Sequence, residues 1–315
     1  MAAAMLRGQN SLGRCMESKV VINTGTLEKI CNDPNWILEN EEEFWEKERS
    51  QKLTTLWAEE IHYSIPYDKW REEIKEWARI PLDERKSHTF MKNCTKILEG
   101  KEAFLEKALP HICAYLPEHA DLNVTIHFTA FIPSRAFAHE DVVMNVAAPY
   151  WNNNVDNILN ALVHEISHAG YGYCRDIRTE KKLENETLYR MLDNMHNEGF
   201  CSYVAYKALP VFPAPDELDY KLTENTTDVE RLLEELNIVF SKIDELPEKE
   251  LRKLVMEKCI MGRGYYVVGI SMCKVIEETL GKMALVSTLT KGPASFLRLY
   301  NSLVKERMRI GIKMS

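Results

Sequence analysis

No stretch of this 315-residue chain approaches the roughly 18 consecutive apolar residues that a membrane-spanning helix requires. The start, MAAAMLRGQNSLGRCMESK, has no apolar core of the kind a secretory signal carries. Residues 1–16 are therefore expected to be a disordered tail. Initiation at Met5 or Met16, or a weak organellar presequence, are the alternatives. There is no excess of basic charge: 40 Lys and Arg face 48 Asp and Glu, for a net charge of −8. That argues against a nucleic-acid-binding surface. The eight cysteines (Cys15, Cys31, Cys94, Cys113, Cys174, Cys201, Cys259 and Cys273) contain no CxxC pair. They predict reduced thiols and no disulfide framework and, without an export signal, a cytoplasmic location. On the same ground the sequons at Asn93, Asn123, Asn185 and Asn225 are expected to be chance matches. Repeats and low-complexity tracts are missing too, leaving no sign of a solenoid.

What is present is an ordinary globular composition, 45% hydrophobic and 28% charged, long enough for one large domain or two smaller ones. The run VVINTGTLEKICN reads as a short strand entering a helix. From about Trp36 to Leu116, EEEFWEKERSQKLTTLWAEEIHY and KEAFLEKALPHICAYL repeat apolar residues at three-four spacing, as surface-packed helices do. The period changes at Asn123, where NVTIHFTAFI alternates and predicts a strand, and DVVMNVAA predicts a second. From Asn154 to Gly170, the residues Ile158, Leu159, Leu162, Val163 and Ile166 form one helical stripe, with Gly170 and Gly172 expected to mark its end. Another helix is expected over Glu184–Leu209. The proline-rich LPVFPAPDELDY reads as a loop and a subdomain boundary. Thr227–Met308 is helical again, interrupted near Gly262–Gly264, Gly281 and Gly292–Pro293. The expected class is α+β, mostly α, with a small mixed or antiparallel sheet before the 154–170 helix. Residues 17–210 are expected to form one part, and 211–315 a helical subdomain that completes a cleft.

The chemistry centres on ALVHEISHAGYG. Residues four apart on a helix lie nearly above one another, so His164 and His168 present two imidazoles to one point. Glu165 sits one step round. This is the mechanical content of the HExxH motif: two nitrogen ligands for zinc and a general base. The bare pattern arises by chance in roughly one in a hundred chains of this size. Its place on a helix that follows strand-like sequence, and the small Ala169 and Gly170 behind it, strengthen it. A catalytic zinc usually takes three protein ligands and keeps one position open, so a third ligand is expected downstream.

Glu198 in MHNEGFCSYVAY is the best candidate. Asn-Glu-Gly-Phe followed by a small residue, an aromatic and a later Tyr resembles the third-ligand helix of the gluzincins, the clan of thermolysin and the aminopeptidase N family. The resemblance implies a zincin-like core, one Zn2+ per chain held by His164, His168 and Glu198, and Glu165 as the base. It covers about Val142 to Gly281 and is carried by motifs, not by the whole chain. The connection between the two motifs is longer than in either named family and holds a charged insert, CRDIRTEKKLENET, that could form a loop near the site. This points to one of the less characterised zinc peptidase families of the clan. The segment DVVMNVAA does not resemble the Gly-x-Met-Glu-Asn segment of the aminopeptidases.

Further candidates surround this core. His196 lies two residues before Glu198, about 200° away round a helix, and reads as a neighbour of the site or a surface group. His139 is a loose histidine. The resemblance also implies a residue opposite the metal that donates to an oxyanion, and in MGRGYYVVGISMCKVIEETLG the Tyr-x-x-Gly helix start, similar to that of other peptidases of the clan, points to Tyr266, with Tyr265 as the alternative. Arg263 is a candidate for a substrate carboxylate. The resemblance further implies an extended substrate bound along a sheet edge beside the metal; the strand Val142–Ala148 is the candidate for that edge, and Asn145 on it is a candidate substrate-binding residue. The expected activity is hydrolysis of a peptide or protein by zinc-activated water, with no nucleic-acid or membrane partner. The alternatives are a zincin-like metal-binding protein without catalysis and a helical interaction protein.

Overall fold

The computed structural model describes residues 19–33, 35–40, 72, 75–76, 79–80, 84, 88–130, 136–138, 141–148, 151, 154–180, 183–215 and 217–312. The tail at 1–16, the helical reading of EEEFWEKERSQKLTTLWAEEIHY and His139 lie outside them. The described residues form two compact units: one holds 19–109 and Leu122–Ala169, and the other Pro110–Asp121 and 170–312.

In the first unit, β1 (Lys19–Asn23) enters α1 (Gly25–Asn32), followed by a single turn, α2 (Trp36–Glu39). The long α3 (Thr89–Cys113) then buries Phe90, Cys94, Ile97, Phe104, Ala108 and Ile112. That is the three-four spacing read from KEAFLEKALPHIC and its upstream turns. Three more strands follow: β2 (Asn123–Thr129), β3 (Ala136–Ala138) and β4 (Val142–Asn145). The sheet order is β1-β2-β4-β3. β1 runs parallel to β2 (Lys19 opposite Asn123), β2 parallel to β4 (Ile126 opposite Val142), and β3 antiparallel to β4 (Ala136 opposite Met144). Val142, Val143, Met144 and Asn145 are all buried, the unbroken pattern of a strand covered on both faces. The expectation of a free substrate edge at this strand is corrected here. β4 is an interior strand, with β2 on one side and β3 on the other, so its ladder groups are already paired.

The helix read over 154–170 is α4 (Val155–Asp176), and it does not stop at its glycines. A Cβ at Gly170 would come within 2.6 Å of a Leu116 methyl, so that glycine makes room for a packed side chain and does not terminate the helix. Ile158, Leu162, Val163 and Ile166 are fully buried, as the stripe predicted.

In the second unit, α5 (Glu186–Lys207) starts at Asn185, whose side chain caps the Leu188 amide. Asn225 caps α7 (Thr226–Ser241) by accepting from the Thr227 amide. Two of the four sequons are thus helix caps. The proline-rich run lies between α5 and the short α6 (Leu218–Thr223). After α7 come α8 (Glu248–Val255), a π-helical turn (Met256–Met261), α9 (Gly264–Leu280), α10 (Lys282–Lys291) and α11 (Pro293–Leu303). The breaks fall where the glycines predicted, and Gly281 and Gly292 have φ of 83° and 106°, conformations an L-residue adopts only with strain. α9 is apolar nearly all round and buries Tyr265 through Ile270 without interruption. It crosses α5 where Gly199 meets Gly269. A Cβ on either would lie 2.4 Å from the other's Cα, so only a glycine pair permits this approach. Among the described residues Cys31, Cys94, Cys174, Cys201, Cys259 and Cys273 are free. Among the described residues no single helix is long and apolar enough to cross a membrane.

Candidate metal centre

The i, i+4 spacing on α4 does what its geometry requires. The Nε2 atoms of His164 and His168 lie 2.9 Å apart, with the rings nearly perpendicular and their centroids 4.6 Å apart. Both nitrogens therefore point at one place. Glu198, on α5, brings its carboxylate to them: the three ligand atoms all lie within 4.8 Å of one another. His164, His168 and Glu198 are each half-buried, shielded enough to strengthen a charge interaction yet open to solvent. Two imidazoles and one carboxylate are the donor set of an N/O zinc site with one position left over. Bonds of about 2.0–2.2 Å hold ligands within about 4 Å of one another, so the cluster needs only small side-chain adjustments to hold an ion. Glu165, the next residue along α4, is buried, with 6% of its surface exposed.

The other candidates are distributed differently. His196 is not a surface group. It is fully buried, its ring stacks on Phe296 at 4.2 Å, and its Nε2 lies 3.0 Å from the Thr288 hydroxyl. Burial, with a smaller contribution from the Arg178 charge, pushes its pKa well below the usual histidine range, so it is a neutral core residue.

Tyr265 is fully buried, and the Cys259 thiol is its hydroxyl's neighbour. Burial pushes the phenol well above its ordinary pKa. Tyr266 is 7% exposed, and the Arg263 guanidinium lies 3.5 Å over its ring. Arg263 itself has a φ of 65°, a left-handed conformation that costs a side-chain-bearing residue roughly 1–2 kcal/mol. Its Nε donates to Asp219 at 2.8 Å and its Nη2 to the other carboxylate oxygen. The bidentate fork expected for a substrate carboxylate is thus occupied by Asp219, a residue that sequence reading did not single out. Asn145 closes β4. Its side-chain oxygen accepts from the Ala147 amide at 3.1 Å, and its carbonyl accepts from the Trp151 indole at 2.7 Å.

The charged insert leaves α4 as a loop and is tied down. Thr179 donates its amide to the Thr290 carbonyl at 2.9 Å. Glu180 accepts from the Ala294 amide, the Ser295 hydroxyl and Arg298 at 3.1, 2.9 and 2.9 Å. The insert is stitched to the end of α10 and the start of α11. Arg178 within it ion-pairs with Asp193 at 2.6 Å. Nothing in the sequence pairs these two residues, since an arginine in a charged run ordinarily signals a solvated loop.

A family model described as "Putative zinc dependent peptidase (DUF5700)" matches residues 36–308. No curated protein and no solved structure matches the chain. Because the model spans most of the 315 residues, the chain belongs to the DUF5700 family, whose description is that of a zinc-dependent peptidase.

Proposed function

We propose that this chain is a metallopeptidase of gluzincin type that binds one zinc ion through His164, His168 and Glu198 and uses Glu165 as general base. The observation that carries the reading is the convergence of these three ligand atoms to within 4.8 Å, from two motifs some thirty residues apart. When bound, zinc lowers the pKa of a coordinated water and polarises a carbonyl.

The remaining work falls to side chains of this protein. Glu165 takes the proton of the attacking water and delivers it to the leaving amine. Its burial keeps bulk water from competing for that proton. Tyr266 donates its hydroxyl to the oxyanion that develops on the substrate carbonyl, a task a neutral phenol performs. Tyr265 is sealed against Cys259 and is set aside for that role. Arg263 positions the turn that precedes Tyr266, because its guanidinium is bonded to Asp219 and stacked on the Tyr266 ring. The substrate is a peptide or protein. A net charge of −8 supports neither a nucleic-acid nor an anionic-membrane partner.

The test combines metal analysis with a peptide-library digest. Glu165→Gln is expected to retain zinc and lose hydrolysis, and Glu198→Ala to lose most of its zinc. Normal turnover by Glu165→Gln would remove Glu165 from the mechanism. Full occupancy in Glu198→Ala would assign the third ligand elsewhere.

A further inference from the structure

Tyr171, Arg178 and Asp193 form a buried polar cluster that the catalytic reading does not use. Tyr171 stands one helical turn beyond His168 on α4. Its hydroxyl donates to Asp193 Oδ1 at 2.7 Å. The same oxygen accepts from Arg178 Nη1 at 2.6 Å, and the guanidinium lies 4.8 Å over the Tyr171 ring. Arg178 Nε donates to the Leu289 carbonyl at 3.2 Å. The cluster is largely buried: Tyr171 is 1% exposed, and the Arg178 and Asp193 side chains 5% and 16%.

The ring of Tyr171 packs on one face of α5. It stands edge-on against His196 with centroids 5.2 Å apart and tilted against Phe200 at 6.3 Å. These residues are one turn apart, two before and two after Glu198 in sequence, and Glu198 faces away from them round the helix. One side chain from the helix of His164 and His168 therefore holds α5 at the height of Glu198, and a charge-assisted hydrogen bond to Asp193 fixes its tip. A buried ion pair is a poor source of stability compared with apolar packing of the same volume. What it supplies is directionality, because a shared carboxylate oxygen admits only one arrangement of its two donors.

We propose that Tyr171, Arg178 and Asp193 are positioning residues for the metal: together they set the spacing and rotation of α4 against α5, and through that the separation of Glu198 from the His164–His168 pair. This inference rests on the three-ligand reading above. The insert CRDIRTEKKLENET then has a structural reason. It returns the chain from α4 so that Arg178 closes the cluster, while Thr179 and Glu180 anchor the return to α10 and α11.

The test is zinc affinity, measured by titrating metal-free protein against a chromophoric chelator, alongside thermal unfolding of the same metal-free samples. Tyr171→Phe removes only the hydroxyl and leaves the Arg178–Asp193 pair in place. It is expected to fold and to weaken zinc binding at least about tenfold, the scale seen when an outer partner of a ligand is lost. Glu180→Gln loosens the anchor to α11 without touching the link between α4 and α5. It is expected to lower the unfolding midpoint but to leave zinc affinity within about twofold, well inside that scale. If Glu180→Gln weakens zinc as much as Tyr171→Phe, general loosening explains the effect and the proposal fails. Wild-type affinity in Tyr171→Phe overturns this inference alone. Wild-type protein that takes up no zinc overturns the three-ligand reading and this inference with it.

Discussion

The glycine of the Asn-Glu-Gly-Phe segment carries the sharpest quantitative prediction. At Gly199 an added methyl group would sit 2.4 Å from the Gly269 Cα, 2.7 Å from its carbonyl carbon and 3.1 Å from its oxygen. Carbon atoms pack at about 3.5–4.0 Å, so Gly199→Ala must push α5 and α9 apart by about 1 Å. The obstructing atoms are backbone, and no rotamer change can relieve them. Overpacking of this kind costs about 1–3 kcal/mol. Alanine in a helix interior returns about 1 kcal/mol of propensity, so the net loss is up to about 2 kcal/mol. Because the obstructing atoms are backbone, the upper half of that range is expected, a drop of a few degrees in the thermal midpoint. Because Glu198 adjoins Gly199, the displacement also moves the third ligand, and zinc occupancy measured by elemental analysis is expected to fall. Gly269→Ala makes the reciprocal clash and should destabilise by a similar amount. An unchanged midpoint together with full zinc occupancy in Gly199→Ala would refute the claim that this crossing requires two glycines.

Other outcomes follow from the same geometry. A Cβ at Gly172 in α4 would meet nothing within 4 Å. Gly172→Ala should therefore stabilise by about 0.5–1 kcal/mol through helix propensity, and a lower midpoint in calorimetry would contradict that. Breaking the buried pair with Asp219→Asn should cost about 3 kcal/mol, read as a shift in the urea midpoint; a wild-type midpoint would mean that Arg263 does not depend on Asp219. Burial holds the folded pKa of His196 well below the ordinary histidine value of 6.5. As pH falls below 6.5, the unfolded chain binds a proton that the folded chain refuses, so stability is complete above that pH and declines below it by about 1.4 kcal/mol per pH unit. His196→Asn should remove up to one proton's worth of that slope in urea titrations between pH 7.5 and 5.5. An identical slope would mean that another group sets the acid limb.

Much of this arrangement was legible in the linear sequence because it depends on local periodicity. Four-residue spacing aims His164 and His168 at one point wherever a helix forms, and the stripe from Ile158 to Ile166 ensures that the helix forms against a core. The alternation in NVTIHFT and the buried run VVMN announced strands, and Gly281 and Gly292 announced helix breaks, since each effect acts within a few residues. Other features were decided only when distant segments met. The order β1-β2-β4-β3 makes β4 interior, and no property of DVVMNVAA alone states which strands will flank it. Gly170 looked like a terminator because its partner, Leu116, is distant in sequence. Arg263 looked like a fork open to a substrate carboxylate and Arg178 was one more charge in the insert, because Asp219 and Asp193 lie 44 and 15 residues away from them. The donor types of the candidate metal centre are thus a matter of helical pitch and amino-acid chemistry. The close crossing of α5 and α9 beside Glu198 is a matter of packing, which only the pair Gly199 and Gly269 permits.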